Sequence, residues 1–195
     1  MLPEYLDRSF MIYLRDGVEF INLLHSDSVQ LILTKLPSTT NSFKKTFTHM
    51  QAVEVCAAMA DASVRVLAPN GILAINLELH NISGVAAAIS KRTHLQHGGT
   101  VINPDDEKNA VVVFYKGKLN TYTENFFATA HSGLNIIESF ILKYTEQGDV
   151  VVDPFCGSGN VMETAVVAGR IAIVNDQDPQ AVEDTINRYK DRCAK

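Results

Sequence analysis

Cysteine is scarce in this chain. Cys56, Cys156 and Cys193 are the only three, odd in number and unrelated in spacing. That excludes a disulfide framework and a zinc site built on paired cysteines, and it suits a reducing, cytoplasmic setting. An excess of basic charge is also missing. With a net charge of −5, the chain has no overall positive field to hold nucleic acid by counterion release. Any contact with nucleic acid is expected to be local or made through a partner. No run approaches the ~18 apolar residues that a membrane span needs. The opening Met1-Leu2-Pro3-Glu4-Tyr5 lacks the basic-then-apolar pattern of a secretory leader. A cytoplasmic protein without membrane contact is therefore expected. Internal repeats, low-complexity tracts and linkers are absent as well. What remains is 195 residues, 46% hydrophobic and 20% charged, the size and balance of one domain over residues 1–195.

The hydrophobic pattern alternates short apolar runs with longer helical periods. Strands are predicted at residues 10–14, 29–33, 72–77, 110–115, 149–152 and 171–174. Helices are predicted at 18–24, 47–67, 82–89, 134–144, 160–168 and 179–193, the second ended by Pro69-Asn70-Gly71. Residues 94–109, with Gly98-Gly99 and Pro104-Asp105-Asp106, read as polar and irregular, and residues 119–133 as a polar connection. Strands alternating with helices imply an α/β domain with a mostly parallel sheet and helices on both faces. Its ligands belong beyond the carboxyl ends of the strands, where the strand order reverses.

At one such end a valine strand runs into Asp153-Pro154-Phe155-Cys156-Gly157-Ser158-Gly159. Glycines at 157 and 159 remove the β-carbons that would keep a ligand off the backbone. Amides at the start of the following helix suit an anionic group such as a carboxylate. An acidic residue at the end of the next strand, Asp176, stands roughly 20 residues further on, placed to accept from ribose hydroxyls. Asp178-Pro179 follows it.

This string, with its Gly148-Asp149 turn before and Asp178-Pro179 after, resembles the cofactor motif of the DNA amino-methyltransferases, which methylate N6 of adenine or N4 of cytosine. Because the motif lies near the C-terminus, the chain is similar to the circularly permuted β class of that family. Arg15-Asp16 falls where that class ends its first strand, and Arg65-Val66-Leu67-Ala68-Pro69-Asn70-Gly71 matches its helix-ending turn. Val112-Val113-Phe114-Tyr115-Lys116-Gly117 is similar to its antiparallel strand. The resemblance implies the S-adenosylmethionine-dependent (Rossmann-like) methyltransferase fold, with a seven-stranded sheet in permuted order and no separate target-recognition domain. It implies S-adenosylmethionine as cofactor, or its product S-adenosylhomocysteine as ligand. It assigns Asp16, Asp153, Pro154, Phe155, Gly157, Ser158, Gly159 and Asp176 to cofactor binding.

The catalytic motif of that family supplies an Asp, Asn or Ser acceptor, a proline carbonyl and a stacking aromatic at the end of the second strand. An exocyclic amine conjugated to its ring is a poor nucleophile. Acceptors must hold its hydrogens, and the base must leave the helix stack to reach them. Here the corresponding residues are Lys35, Leu36, Pro37 and Ser38. Lysine carries only donors, and serine offers no ring to stack on, a contact worth ~1–3 kcal/mol per base. Before the helix at residue 134, where relatives carry a Lys-Pro pair, stands Ser132-Gly133. Thr39, Asn41 or Glu78, or a neutral buried Lys35, are the alternatives by which an acceptor could be restored.

The histidines lack metal spacing, and His94 and His97 read as surface residues, so no metal is expected. Cys156 has no base near it in sequence and reads as a small apolar filler. Lys44-Lys45 and Lys91-Arg92-Thr93-His94 could touch phosphate or lie solvated. The expectation is therefore a protein that binds S-adenosylmethionine but has lost methyl transfer. It would act as partner, regulator or decoy, with DNA bound weakly or through a partner, and as a homodimer or beside an active methyltransferase. The rival is an active adenine-N6 or cytosine-N4 methyltransferase with an atypical target pocket; a third alternative is a binding module that has lost the cofactor too.

Overall fold

The computed structural model describes residues 2–36, 48–102, 106, 108–117 and 135–193. The expected positions Pro37, Ser38, Thr39, Asn41, Lys44, Lys45, Ser132 and Gly133 lie outside the described residues, as does the connection at 119–133. In chain order the elements are β1 (Tyr5–Leu6), β2 (Phe10–Leu14), α1 (Gly17–Leu23), β3 (Val29–Lys35), α2 (His49–Val66) and β4 (Leu67–Glu78). A short 3-10 turn (Leu79–Asn81) leads to α3 (Ile82–Arg92), β5 (Gln96–Ile102), β6 (Asn109–Tyr115) and α4 (Ile136–Tyr144). The chain closes with β7 (Val150–Asp153), α5 (Asn160–Val167), β8 (Ile171–Asp176) and α6 (Pro179–Arg192).

All strands join one sheet in the order β1-β2-β8-β7-β3-β4-β6-β5. It has eight strands, one more than the seven expected. β1 is an added antiparallel edge, formed because Glu4 N–H donates to Ile12 O and Asp7 N–H to Phe10 O. A second difference is β5. Its Gly98-Gly99 pair reads as loop, yet the segment pairs with β6 through a register shift between His97 and Gly99. A neighbouring strand imposes extended structure that local propensity does not favour. The five strands from β2 to β4 run parallel, and β6 is antiparallel to β4.

The helices divide between the two faces. Phe20 and Ile21 of α1, Ala52, Cys56, Met59 and Ala60 of α2, and Val85 and Ile89 of α3 share one core with Ile32, Leu73 and Val112. Phe140 of α4, Met162 of α5 and Tyr189 of α6 share the other with Phe10, Leu31 and Ala74. Central strands buried on both faces explain the continuous valine runs at 111–113 and 150–152. Local signals set the helix ends: Thr48 and Gln51 form a capping box on α2, and Asp178 caps α6 ahead of Pro179.

Arg170 is buried, and no carboxylate faces it among the described residues. Its Nε donates to Thr145 Oγ1 at 2.9 Å and one terminal nitrogen to Thr145 O at 2.6 Å; the other donates to Ala168 O. Thr145 and Ala168 are the C-caps of α4 and α5. The guanidinium therefore sits where two helix dipoles converge with their negative ends, which compensates its charge. Replacing it with methionine leaves those carbonyls without donors. Arg170→Met is expected to lower stability by about 2–3 kcal/mol, read as an earlier urea midpoint at unchanged slope.

Candidate cofactor site

From β7 the chain crosses through α5 to β8 on one side; from β3 it crosses through α2 to β4 on the other. The order thus reverses between β7 and β3, and the crevice beyond their carboxyl ends is the position for a ligand. Asp153 ends β7 at this point, only 3% exposed. Thr34 Oγ1 of β3 donates to its Oδ1 at 2.6 Å, and Phe155 N–H donates to the same oxygen at 3.1 Å. Burial raises the carboxyl to about 7, and the Asp176 charge adds to this; the two donors pull the other way.

Three chain segments meet on the β7 side. Asn175 Nδ2 donates to Arg15 O at 3.0 Å and to Pro154 O at 3.1 Å, tying the end of β2 to the loop after β7. Arg15 N–H donates to Asp176 O, and Cys156 N–H to Asn175 O. Asp176 accepts from Gly157 N–H on Oδ2 at 2.9 Å and from Asp178 N–H on Oδ1 at 3.0 Å. Each oxygen keeps a lone pair for a further donor. Asp16, exposed at the end of β2, caps α1 by accepting from Val18 N–H and Glu19 N–H.

The glycines act in different ways. Gly157 has φ +53 and a β-carbon there would meet nothing within 4 Å, so its outer side is open space. Gly159 has φ +80, and its β-carbon would lie 2.9 Å from Thr185 Cγ2 of α6. Thr185 in turn donates to Gly157 O at 3.0 Å. Gly159 is thus required by the fold, whereas Gly157 leaves room for a ligand. A third glycine, Gly17, does not stand out in the sequence, yet its β-carbon would lie 2.4 Å from the Phe155 ring. Its adjacency to Arg15-Asp16 is the available signal. Thr34 and Asn175 escape sequence reasoning for a similar reason, since a polar residue inside an apolar strand names no partner.

Some expectations change. Few loop amides remain for an anion, because those of Phe155, Cys156, Gly157 and Gly159 are spent inside the protein; α5 itself starts with no side-chain cap. Pro154 and Cys156 are buried, Phe155 half-buried and Ser158 exposed. Burial pushes the Cys156 thiol up, which keeps it protonated and agrees with a filler.

On the β3 side, Lys35 is 57% exposed at the strand end, and its Nζ lies 3.7 Å from Asp106 Oδ2. Lys35 is therefore not a buried residue. Leu36 points into the α2 core, and its N–H donates to Asn76 O. Glu78, at the end of β4, faces His80 Nε2 at 3.7 Å. Arg92 of the basic stretch is engaged with Glu54 and Asp61.

The fold is an α/β sheet with helices on both faces, the layout of the S-adenosylmethionine-dependent methyltransferases. Residues 111–187 match a family described as DNA methylase, acting at N6 or N4 by its name. This sequence pattern supports the DNA amino-methyltransferase family and spans β6, the cofactor loop and most of α6. No curated protein matches the chain. Among solved structures, the cytosine-N4-specific PvuII DNA methyltransferase superposes with a TM-score of 0.75 at 17% identity, covering 96% of this chain and 89% of that one. TTHA0409 of Thermus thermophilus, a proposed DNA modification methylase complexed with S-adenosyl-L-methionine, gives 0.72 at 18%, covering 93% and 95%. The M1.HpyAVI–SAM complex gives 0.64 at 19%, covering 92% and 98%. At these identities the likeness is one of fold.

Two outcomes are expected. Gly17→Ala forces its methyl against the Phe155 ring and should cost about 1–3 kcal/mol, measured by thermal denaturation. Asp153 holds its proton more tightly folded than unfolded, so stability falls as pH rises from the ordinary carboxylate range toward 7. The slope is at most about 1.4 kcal/mol per pH unit. Asp153→Asn should remove this dependence, so its melting temperature relative to wild type rises between pH 4 and 7.

Proposed function

We propose that this protein binds S-adenosylmethionine in a DNA amino-methyltransferase-like site and has lost methyl transfer through the β3 motif. The observation that carries the reading is the contrast between two neighbouring strand ends. After β7 the loop is open above Gly157 and carries Asp153 and Asp176 in place, with Asp16 at the adjoining end of β2. After β3 the side chain is a lysine ammonium where the reaction needs an acceptor.

The open side of Gly157, the remaining lone pairs of Asp176 and the half-buried Phe155 fit a nucleoside with a polar tail. Two of the solved relatives, TTHA0409 and M1.HpyAVI, are named as complexes with S-adenosylmethionine, which supports the same ligand here. When bound, this cofactor supplies a methyl group on a sulfonium sulfur. An exocyclic amine that attacks such a methyl gains positive charge, and the Lys35 ammonium beside it opposes that gain. Binding without turnover suits a partner, regulator or decoy in the cytoplasm, acting on DNA weakly or through an active subunit. A homodimer or a heteromer would serve that role.

Titration calorimetry with S-adenosylmethionine should give a saturable heat. Gly157→Val, which fills the open side, should weaken binding about tenfold or more, with a loss of stability from placing a β-branched residue at φ +53, so binding is measured below its melting temperature. No label should pass from the cofactor to DNA. Transfer to DNA that disappears in Lys35→Ala would overturn the inactive reading, and an absence of heat from wild type would overturn the cofactor reading.

A further inference from the structure

The buried end of β3 carries one polar side chain, Thr34, which is 1% exposed and stands one place before the exposed Lys35. Its hydroxyl reaches across the sheet to Asp153 Oδ1 at 2.6 Å and is the one side-chain donor to that carboxyl among the described residues. The Phe155 amide, at 3.1 Å, meets the same oxygen, and Oδ2 receives no donor among the described residues. The charges around this acid do not help it ionise. Lys35 of β3 turns to Asp106, and Glu163, the one titratable group of α5, is paired with Arg188 and Arg192. The Cys156 thiol is kept protonated by its own burial. Asp176, at the end of β8, is a charge of like sign. A carboxyl buried without a cation parts with its proton reluctantly, and a short O–H···O⁻ bond is what favours the ionised form. Thr34 supplies that bond.

We propose that Thr34 is a positioning residue of the cofactor site, whose hydroxyl holds Asp153 by one oxygen and leaves Oδ2 to answer a cation in the crevice. The inference rests on the S-adenosylmethionine reading of the site and names what makes its buried acid usable. Thr34 acts through Asp153 and not on the cofactor itself. S-adenosylmethionine brings a sulfonium and an ammonium, and a carboxylate with no cation of its own supplies the matching charge where water screens little. When Asp153 carries a proton, binding displaces it: the O–H bond breaks, its electron pair stays on the carboxylate, and the proton passes to buffer. Affinity therefore rises with pH until the empty site is already ionised, and is level above that point. Without the Thr34 donor the ionised form loses the bond that favours it, so the level is reached at a higher pH. One strand thus carries a residue that serves the cofactor and, at the next position, the lysine that opposes transfer.

The test titrates wild type, Thr34→Val and Thr34→Ser with S-adenosylmethionine by calorimetry from about pH 5.5 to about pH 8.5. Valine keeps the shape of threonine and removes its hydroxyl; serine returns the hydroxyl. Thr34→Val should bind about tenfold weaker at neutral pH and reach its level affinity about one pH unit above wild type. Thr34→Ser should restore both. Titration of the cofactor's own amine is common to the three proteins and cancels in the comparison. A purely structural loss would lower the melting temperature and leave the pH of the level unmoved. Wild type alone gives a further readout if Thr34→Val does not fold: below neutral pH, binding should release protons, seen as a heat that differs between buffers of unlike ionisation enthalpy. No proton release from wild type, a Thr34→Val profile that levels at the wild-type pH, or a Thr34→Ser profile that stays with that of valine would overturn the assignment. If S-adenosylmethionine gives wild type no heat, the proposed function fails; if it binds without proton release or without a shift in Thr34→Val, only the role of Thr34 does.

Discussion

The carboxyl edge of this protein is organised by one acid taken out of water. Asp153 closes β7 at the place where the strand order reverses, and its cross-strand partner is the Thr34 hydroxyl of β3. A charged carboxylate is expensive there, which is why its proton is held toward neutral pH. The bond also links two strands whose following helices, α5 and α2, pack on opposite faces of the sheet. The loop after β7 takes its course from the Phe155 amide on the same oxygen, and the end of β2 follows through Asn175. The site is thus anchored inside the sheet and opens at Gly157.

The two halves of that edge are built by different means. The β7 half is backbone-rich: amides and carbonyls of three segments are tied by Asn175, Asp176 and Thr185, and glycines permit close approach. Such a construction tolerates little change, because each bond is satisfied by a neighbour. The β3 half depends on side chains at strand ends, where Lys35 lies exposed and Asn76 keeps an unmatched oxygen. Substitution there alters chemistry without disturbing the sheet. One side of the edge is thus held by the backbone, and the other is left to side chains.

Much of the fold was legible because the periodicity of buried strands and amphipathic helices is local. Valines at 150–152, the Thr48–Gln51 capping box and Asp178-Pro179 each act within a few residues. The strands at β1 and β5 were not legible. Tyr5–Leu6 is too short to carry a period, and β5 holds two glycines that only pairing with β6 makes extended. In the site, Gly157, Gly159 and Asp176 stood out as a spaced string. Gly17, Thr34 and Asn175 did not, since their roles depend on a ring, a carboxyl and two carbonyls supplied from distant parts of the chain.

By itself the sequence determined the alternation of strands and helices, the Asp153-to-Gly159 loop with Asp176 beyond it, and a lysine at the end of the second predicted strand. These are properties of residue type and short spacing. Only the tertiary structure decided that Asp153 is buried against Thr34, that Gly159 serves packing while Gly157 leaves space, and that Asn76 stands opposite Lys35. Each of these depends on strand register and helix placement across the sheet, which set distances between residues far apart in the chain and so decide which polar atoms are paired.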